Sequence, residues 1–122
     1  MTFEGKVVAV TGAGGGIGTA IVSKFVDLGA KAVLLDVKEE FAKRTADLLH
    51  LTEENSMCLG VDVSKEEDVK EAVSKIRTRF NRVDVLVNTA GIPGPSARTE
   101  DYSFEDIKKV YEVNVFGTFL MM

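Results

Sequence analysis

Thr11-Gly12-Ala13-Gly14-Gly15-Gly16-Ile17-Gly18 joins the apolar run Val7-Val8-Ala9-Val10 to a segment in which Ile17, Ile21, Phe25 and Leu28 recur at helical spacing. A buried strand that turns through glycines straight into a helix is built to hold a phosphate. The first N–H groups of a helix have no intrahelical acceptor, and the helix dipole puts positive potential at that end. Glycines let the backbone turn at positive φ and let a pyrophosphate approach without meeting a Cβ. The spacing is T-G-x-x-x-G-x-G; the G-x-G-x-x-G fingerprint would need glycine at position 17, where Ile17 stands. The turn therefore predicts a dinucleotide site only together with what lies downstream.

Outward from the turn, strand and helix patterns alternate to the end of the chain. Gly29 is placed to stop the first helix, and Ala32-Val33-Leu34-Leu35-Asp36 reads as a second strand. A helix follows over Lys38 to His50, with Phe41, Thr45, Leu48 and Leu49 on one side. Met57 to Val61 reads as strand three, ending at Asp62. Ser64-Lys65-Glu66-Glu67 forms a capping box, and Val69, Val73, Ile76 and Phe80 make the buried stripe of the helix it opens. Val83 to Asn88 is strand four, and a loop from Thr89 to about Tyr102 carries both prolines, Pro93 and Pro95. Ser103 and Asp106 cap a last helix whose Phe104, Ile107, Tyr111, Val115, Thr118 and Phe119 share one face. Leu120-Met121-Met122 holds no stop signal, so the chain is expected to end inside an element.

Four strands alternating with helices predict an α/β, doubly wound parallel sheet of Rossmann type, because parallel strands need right-handed crossovers. The expected strand order is 3-2-1-4. Strand four is as apolar as an interior strand, which predicts that a further part of the sheet covers it.

The 122 residues allow one domain, spanning 1–122, long enough for a core but short for a complete dinucleotide-dependent enzyme. A net charge of −4 supplies no basic stripe for nucleic acid. No apolar run reaches the roughly 18 residues of a membrane span, and no signal-peptide core precedes the first strand. The single cysteine, Cys58, reads as a small core residue of a reducing, cytoplasmic setting. His50 is explained by its place near a helix C-terminus, and no residues have metal-ligand spacing.

Asp36 ends strand two 18 residues beyond Gly18, where a carboxylate can accept hydrogen bonds from the hydroxyls of an adenosine ribose. It repels a 2′-phosphate, and no Arg or Lys occupies Ala13, Gly14 or Gly15 to attract one, so NAD is favoured over NADP. Capping the following segment is the alternative for Asp36. Asp62 is placed to accept from the adenine amino group while the Val63 N–H donates to a ring nitrogen; a plain Asx turn is the alternative. Asn88-Thr89-Ala90-Gly91 ends strand four, where Asn can tie strand ends and Ala and Gly leave room for a cofactor.

Thr11-Gly-x-x-x-Gly-Ile-Gly18, Asp36, Asp62-Val63, Asn88-Thr-Ala-Gly91 and Asn114, in this order, resemble the N-terminal portion of a short-chain dehydrogenase/reductase. Thr89 stands where that family has a second Asn. The resemblance implies cofactor contacts from Thr11, Gly12, Gly14, Gly15, Gly16, Ile17, Gly18, Asp36, Val37, Asp62, Val63, Asn88, Ala90 and Gly91. It implies hydride transfer between NAD(H) and an alcohol or carbonyl, with a secondary alcohol or polyol as substrate and a 3-oxoacyl thioester as the runner-up. Asn114 would support the proton relay. The family's Ser and Tyr-x-x-x-Lys have no counterpart, since the fourth residues after Tyr102 and Tyr111 are Asp106 and Val115. The chain as written is therefore expected to be inactive, and a non-catalytic dinucleotide-binding half-module is the rival reading. Homo-oligomers of the family pair through the helix placed here at about 104–122.

Overall fold

The computed structural model describes residues 2–122. The elements are β1 (Val7–Thr11), α1 (Gly16–Asp27), β2 (Lys31–Asp36), α2 (Glu39–Leu48), β3 (Ser56–Gly60), α3 (Glu66–Phe80) and β4 (Val85–Asn88). A 3-10 turn, Thr99–Asp101, precedes a helical rod made of α4 (Phe104–Tyr111), a π-helical stretch Glu112–Gly117 and α5 (Thr118–Met121). The sheet is parallel throughout, in the order β3-β2-β1-β4. This is the doubly wound arrangement that the alternating pattern predicts. No helix among the described residues is long and apolar enough to cross a membrane.

Strand alternation divides the core into two layers. Val7, Ala9, Val33 and Leu35 face α3 and the rod, while Val8, Val10, Ala32 and Leu34 face α1 and α2. Central strands β1 and β2 are covered on both faces, hence their unbroken apolar runs. β4 is an edge strand in these residues, and all four of its positions are only half-buried.

Several helix faces depart from the sequence reading. Ile17 is 74% exposed; the side of α1 that meets the sheet is Gly18 and Val22, because Gly18 lets the helix start lie against the turn. In α2 the covered residues are Ala42, Thr45 and Ala46, and Leu48 points to solvent. In α3 Ala72 takes the place expected of Val73, since a small side chain suits the close approach of helix to sheet. The capping box at Ser64 does not form: α3 begins at Glu66, and the Ser64 hydroxyl donates instead to Asp62 Oδ1. Ser103 does cap α4, accepting the Asp106 N–H at 3.0 Å. His50 closes α2 at φ +54, donating its N–H to the Asp47 carbonyl.

The rod divides its two sides between the core and solvent. Val113, Leu120 and Met121 pack on the core, and Gly117 is buried against Val63. These residues already fill the sheet-facing side. The stripe Phe104, Ile107, Tyr111, Val115 and Phe119 therefore faces outward, with Phe119 67% exposed.

Candidate functional site

A cleft of about 900 Å³ opens along the carboxyl edge of the sheet, between the glycine turn, the ends of β2 and β3, the residues after β4, and α4. Thr11, Gly12, Gly15, Asp36 and Val37 line it, together with Asp62, Val63, Ala90 and Gly91. Parallel strands end on the same edge, so residues far apart in sequence converge there.

The turn is held from several sides. Gly12 has φ +67, and a Cβ there would come within 2.9 Å of the Ala90 nitrogen. Conformation and space both require glycine. The Ala13 N–H donates to the Leu35 carbonyl at 3.0 Å, and the Gly14 N–H donates to Asp36 Oδ2 at 2.8 Å. At Gly14 a Cβ would sit 2.8 Å from the Phe41 Cβ, so this glycine is a packing requirement of the turn, off the cleft wall. The Thr19 N–H is bonded to the Gly15 carbonyl at 2.9 Å. The amides of Gly16, Ile17 and Gly18 are those a first helical turn leaves without intrahelical acceptors. Those three residues do not line the cleft; they follow Gly15, which does, as the first residues of α1.

Asp36 uses one lone pair of each oxygen on backbone, Oδ2 on Gly14 and Oδ1 on the Val37 N–H (2.7 Å). A carboxylate has about four acceptor sites, so capacity remains toward the cleft. Lys38, two residues on, lies over the Phe41 ring at 5.7 Å and is not in the cleft wall. Asp62 forms the Asx turn that is its alternative reading: Oδ1 accepts the Ser64 N–H at 3.0 Å. Its own N–H is taken by Asp68 Oδ2 at 3.1 Å. The same residue still lines the cleft, so the turn and a ligand contact are compatible.

Asn88 stands opposite Thr11 in the β1–β4 register. The tie between those strand ends, expected of Asn88, comes from two threonines. The Thr11 hydroxyl accepts the N–H groups of Thr89 and Ala90 at 3.2 Å each, and the Thr89 hydroxyl donates to the Thr11 carbonyl. Thr89 thus has a side-chain role that the sequence reading does not assign. Asn114 lies in the π-helical stretch and outside the cleft wall. Its amide is bound reciprocally to Ile92: Oδ1 accepts the Ile92 N–H and Nδ2 donates to the Ile92 carbonyl, both at 2.8 Å. A Cβ on Gly91 would lie 3.2 Å from that Oδ1. The Asn114 side chain clamps the loop after β4.

Sequence reasoning misses the wall contributed by α4 and the residues after it: Glu105, Asp106, Lys108, Lys109, Glu112 and Val113. Their spacing (i, i+1, i+3, i+4, i+7, i+8) is one side of a helix, away from the apolar stripe, and a helical projection would show it. Cys58 is half-buried; burial first, then the nearby Glu39 carboxylate, pushes its thiol pKa up, so the thiolate is disfavoured. Among the described residues no three His, Cys, Asp or Glu side chains gather as a metal site.

Comparison with known proteins gives this geometry its context. The family profile for short chain dehydrogenases matches residues 6–122. An uncharacterized oxidoreductase of Thermotoga maritima is 41% identical over 121 residues, covering 99% of this chain and 47% of the relative. A 3-ketoacyl-(acyl-carrier-protein) reductase from Brucella melitensis, solved with NADH, superposes with a TM-score of 0.91 at 37% identity, over 98% of this chain and 48% of that one. An NAD+-bound xylitol dehydrogenase superposes with a TM-score of 0.89 at 33% identity, over 99% and 46%. The chain spans about half the length of the curated relatives it matches.

Proposed function

The chain belongs to the short-chain dehydrogenase family, and from that premise we propose that it binds NAD(H) along the carboxyl edge of its sheet. The observation that carries this reading is the meeting of Asp36, the turn residues Gly12 and Gly15 that lead into α1, and the Ala90–Gly91 shelf in one cleft. The pyrophosphate sits at the amides of Gly16, Ile17 and Gly18, where the α1 dipole favours negative charge. The ribose hydroxyls donate to the free lone pairs of Asp36, and the adenine lies between Asp62, Val63 and the α4 face.

The dinucleotide supplies the hydride acceptor or donor, and the activity is interconversion of a secondary alcohol or polyol with its ketone. The likeness to the NAD+-bound xylitol dehydrogenase supports this choice. Reduction of a 3-oxoacyl thioester is the second reading, supported by the likeness to the Brucella reductase. Asn114 contributes by holding Ile92 and so the loop beside the reacting end. No Tyr-x-x-x-Lys occurs in the 122 residues, so this chain by itself binds the cofactor without turning it over. A second copy covers the outward stripe of the rod, making a homo-oligomer, and a cytoplasmic setting suits the unpaired Cys58.

Titrating NADH and NADPH separately into the protein tests the assignment. NADH is expected to bind at least tenfold more tightly, and NAD+ with secondary alcohols should yield no NADH. Equal or tighter NADPH binding overturns the role of Asp36, and binding of neither overturns the dinucleotide reading. Steady NADH formation overturns the expected inactivity.

A further inference from the structure

Thr45 is a polar residue on α2, 4% exposed and 32 positions from the turn, yet its hydroxyl donates to the Ala13 carbonyl at 2.9 Å. Ala13 is itself fully buried. Among the described residues the donor to its carbonyl is the Thr45 hydroxyl; the Thr19 oxygen lies 3.3 Å away, but its one proton goes to the nearer Gly15 carbonyl at 2.7 Å. The two hydroxyl oxygens are 3.2 Å apart. Two helices thus brace the carbonyl side of the turn, while Leu35 and Asp36 hold the N–H groups of Ala13 and Gly14.

A peptide unit is rigid, so fixing the Ala13 carbonyl also fixes the Gly14 N–H that donates to Asp36 Oδ2, and fixing the Gly15 carbonyl fixes the direction of the Gly16 N–H. The turn has no side chains of its own to set that direction, since four of the five residues from Gly12 to Gly16 are glycine. We propose that Thr45, with Thr19 beside it, is a positioning residue of the cofactor cradle: Thr45 holds the Ala13–Gly14 peptide and through its N–H the Asp36 carboxylate, while Thr19 holds the peptide that carries the Gly16 amide. Thr45 does not line the cleft. It acts by keeping the Ala13 carbonyl satisfied. A valine of nearly the same shape would preserve the packing on α2 but orphan a buried carbonyl, and an orphaned carbonyl seeks another donor by rotating its peptide.

This inference rests on the dinucleotide reading for its binding consequence but not for its structural one. Thr45→Val, Thr45→Ser and Thr19→Ala are compared with the unaltered protein by NADH titration and by amide hydrogen exchange without ligand. Thr45→Val should bind NADH about tenfold more weakly, a difference of about 1.4 kcal/mol. Exchange over residues 13–18 should quicken severalfold while β2 and β3 stay unchanged. Thr45→Ser keeps the donor and should restore both readouts. Thr19→Ala, at a half-exposed site that tolerates the change, should show the same pattern in weaker form. Thr45→Val with unaltered exchange over 13–18 overturns the proposal whatever the titration shows. Absence of NADH binding by the unaltered protein overturns the dinucleotide reading instead. Uniformly faster exchange in both Thr45→Val and Thr19→Ala assigns the threonines to general stability and overturns the positioning role.

Discussion

The Asp84 carboxylate accepts the Val7 N–H at Oδ2 (2.8 Å), and the Arg82 guanidinium grips both its oxygens, Nε on Oδ2 at 2.8 Å and Nη2 on Oδ1 at 2.6 Å. Its own N–H returns to the Val7 carbonyl at 2.8 Å. The residue thereby fixes the entry of β1 against the segment that becomes β4. Hydrogen bonds from Arg82, then from Val7, hold its pKa below the ordinary aspartate value. A depressed carboxylate stabilises the fold at pH values above its unfolded pKa of about 3.9 and loses that contribution as pH falls through the lower folded value. Chemical denaturation at pH 7 and at about pH 3 should show Asp84→Asn less stable at neutral pH with a shallower acid decline. An acid decline equal to that of the unaltered protein would remove Asp84 from this account. None of this pairing is legible in the sequence, where Val83-Asp84-Val85 reads as one strand. The carboxylate interrupts the apolar run, and its partner Val7 lies 77 positions away. Asp36 is legible because its place at a strand end is set by local pattern alone. Its bond to Gly14 is not, because the two residues lie 22 positions apart and meet only when β1 and β2 pair.

Strands β1 and β2, the glycine turn and the start of α1 are legible to within a residue or so, since apolar runs and glycines are local signals. Helix faces are less legible. An alanine such as Ala72 carries little weight in a hydrophobic pattern, yet it is what the sheet accepts at close range. The rod escapes the pattern for a second reason: the π-helical stretch Glu112–Gly117 changes the residues per turn, which no fixed period anticipates. With Val113, Gly117, Leu120 and Met121 on the inner side, the apolar stripe faces outward, with Phe104 76%, Tyr111 53% and Phe119 67% exposed. Such an outward row of apolar side chains is the surface that a second copy of the chain would cover. Light scattering after size exclusion should show an oligomer for the unaltered protein and a monomer for Phe119→Glu. Removing one aromatic buried at a two-fold contact costs about 2 kcal/mol per copy before the charge is counted. Phe119 belongs to neither layer of the core, so the circular dichroism should not change. An oligomer that survives Phe119→Glu, or a monomeric unaltered protein, defeats the assignment of that face.

Over the whole molecule, burial is uneven across the sheet. Val8, Val10, Val33 and Leu34 in the two central strands are entirely covered, whereas every residue of β4 is half-buried. β3 is also an edge strand, but the helices beside it bury Ser56 and Leu59. Exchange of a backbone amide requires its hydrogen bond to open, and the free energy of opening rises with the amount of packing that must come apart at the same time. β4 pairs only with β1, through Val8 to Thr11, and its other side offers no partner among the described residues. Its bonds to β1 should therefore open without the rest of the sheet. Amides of Val85 to Asn88 are expected to exchange at least tenfold faster than those of Val8 to Val10 and Val33 to Leu35. Saturating NADH should slow exchange at Ala90 to Ile92 and over the turn, because the proposed ligand bridges the end of β4 to α1 across the cleft. It should leave Met57 to Gly60 little changed, since those residues lie off the cleft wall. Protection of β4 equal to that of β1 without ligand would mean that its outer edge is covered in solution. The half-buried strand would then be a property of the isolated chain alone.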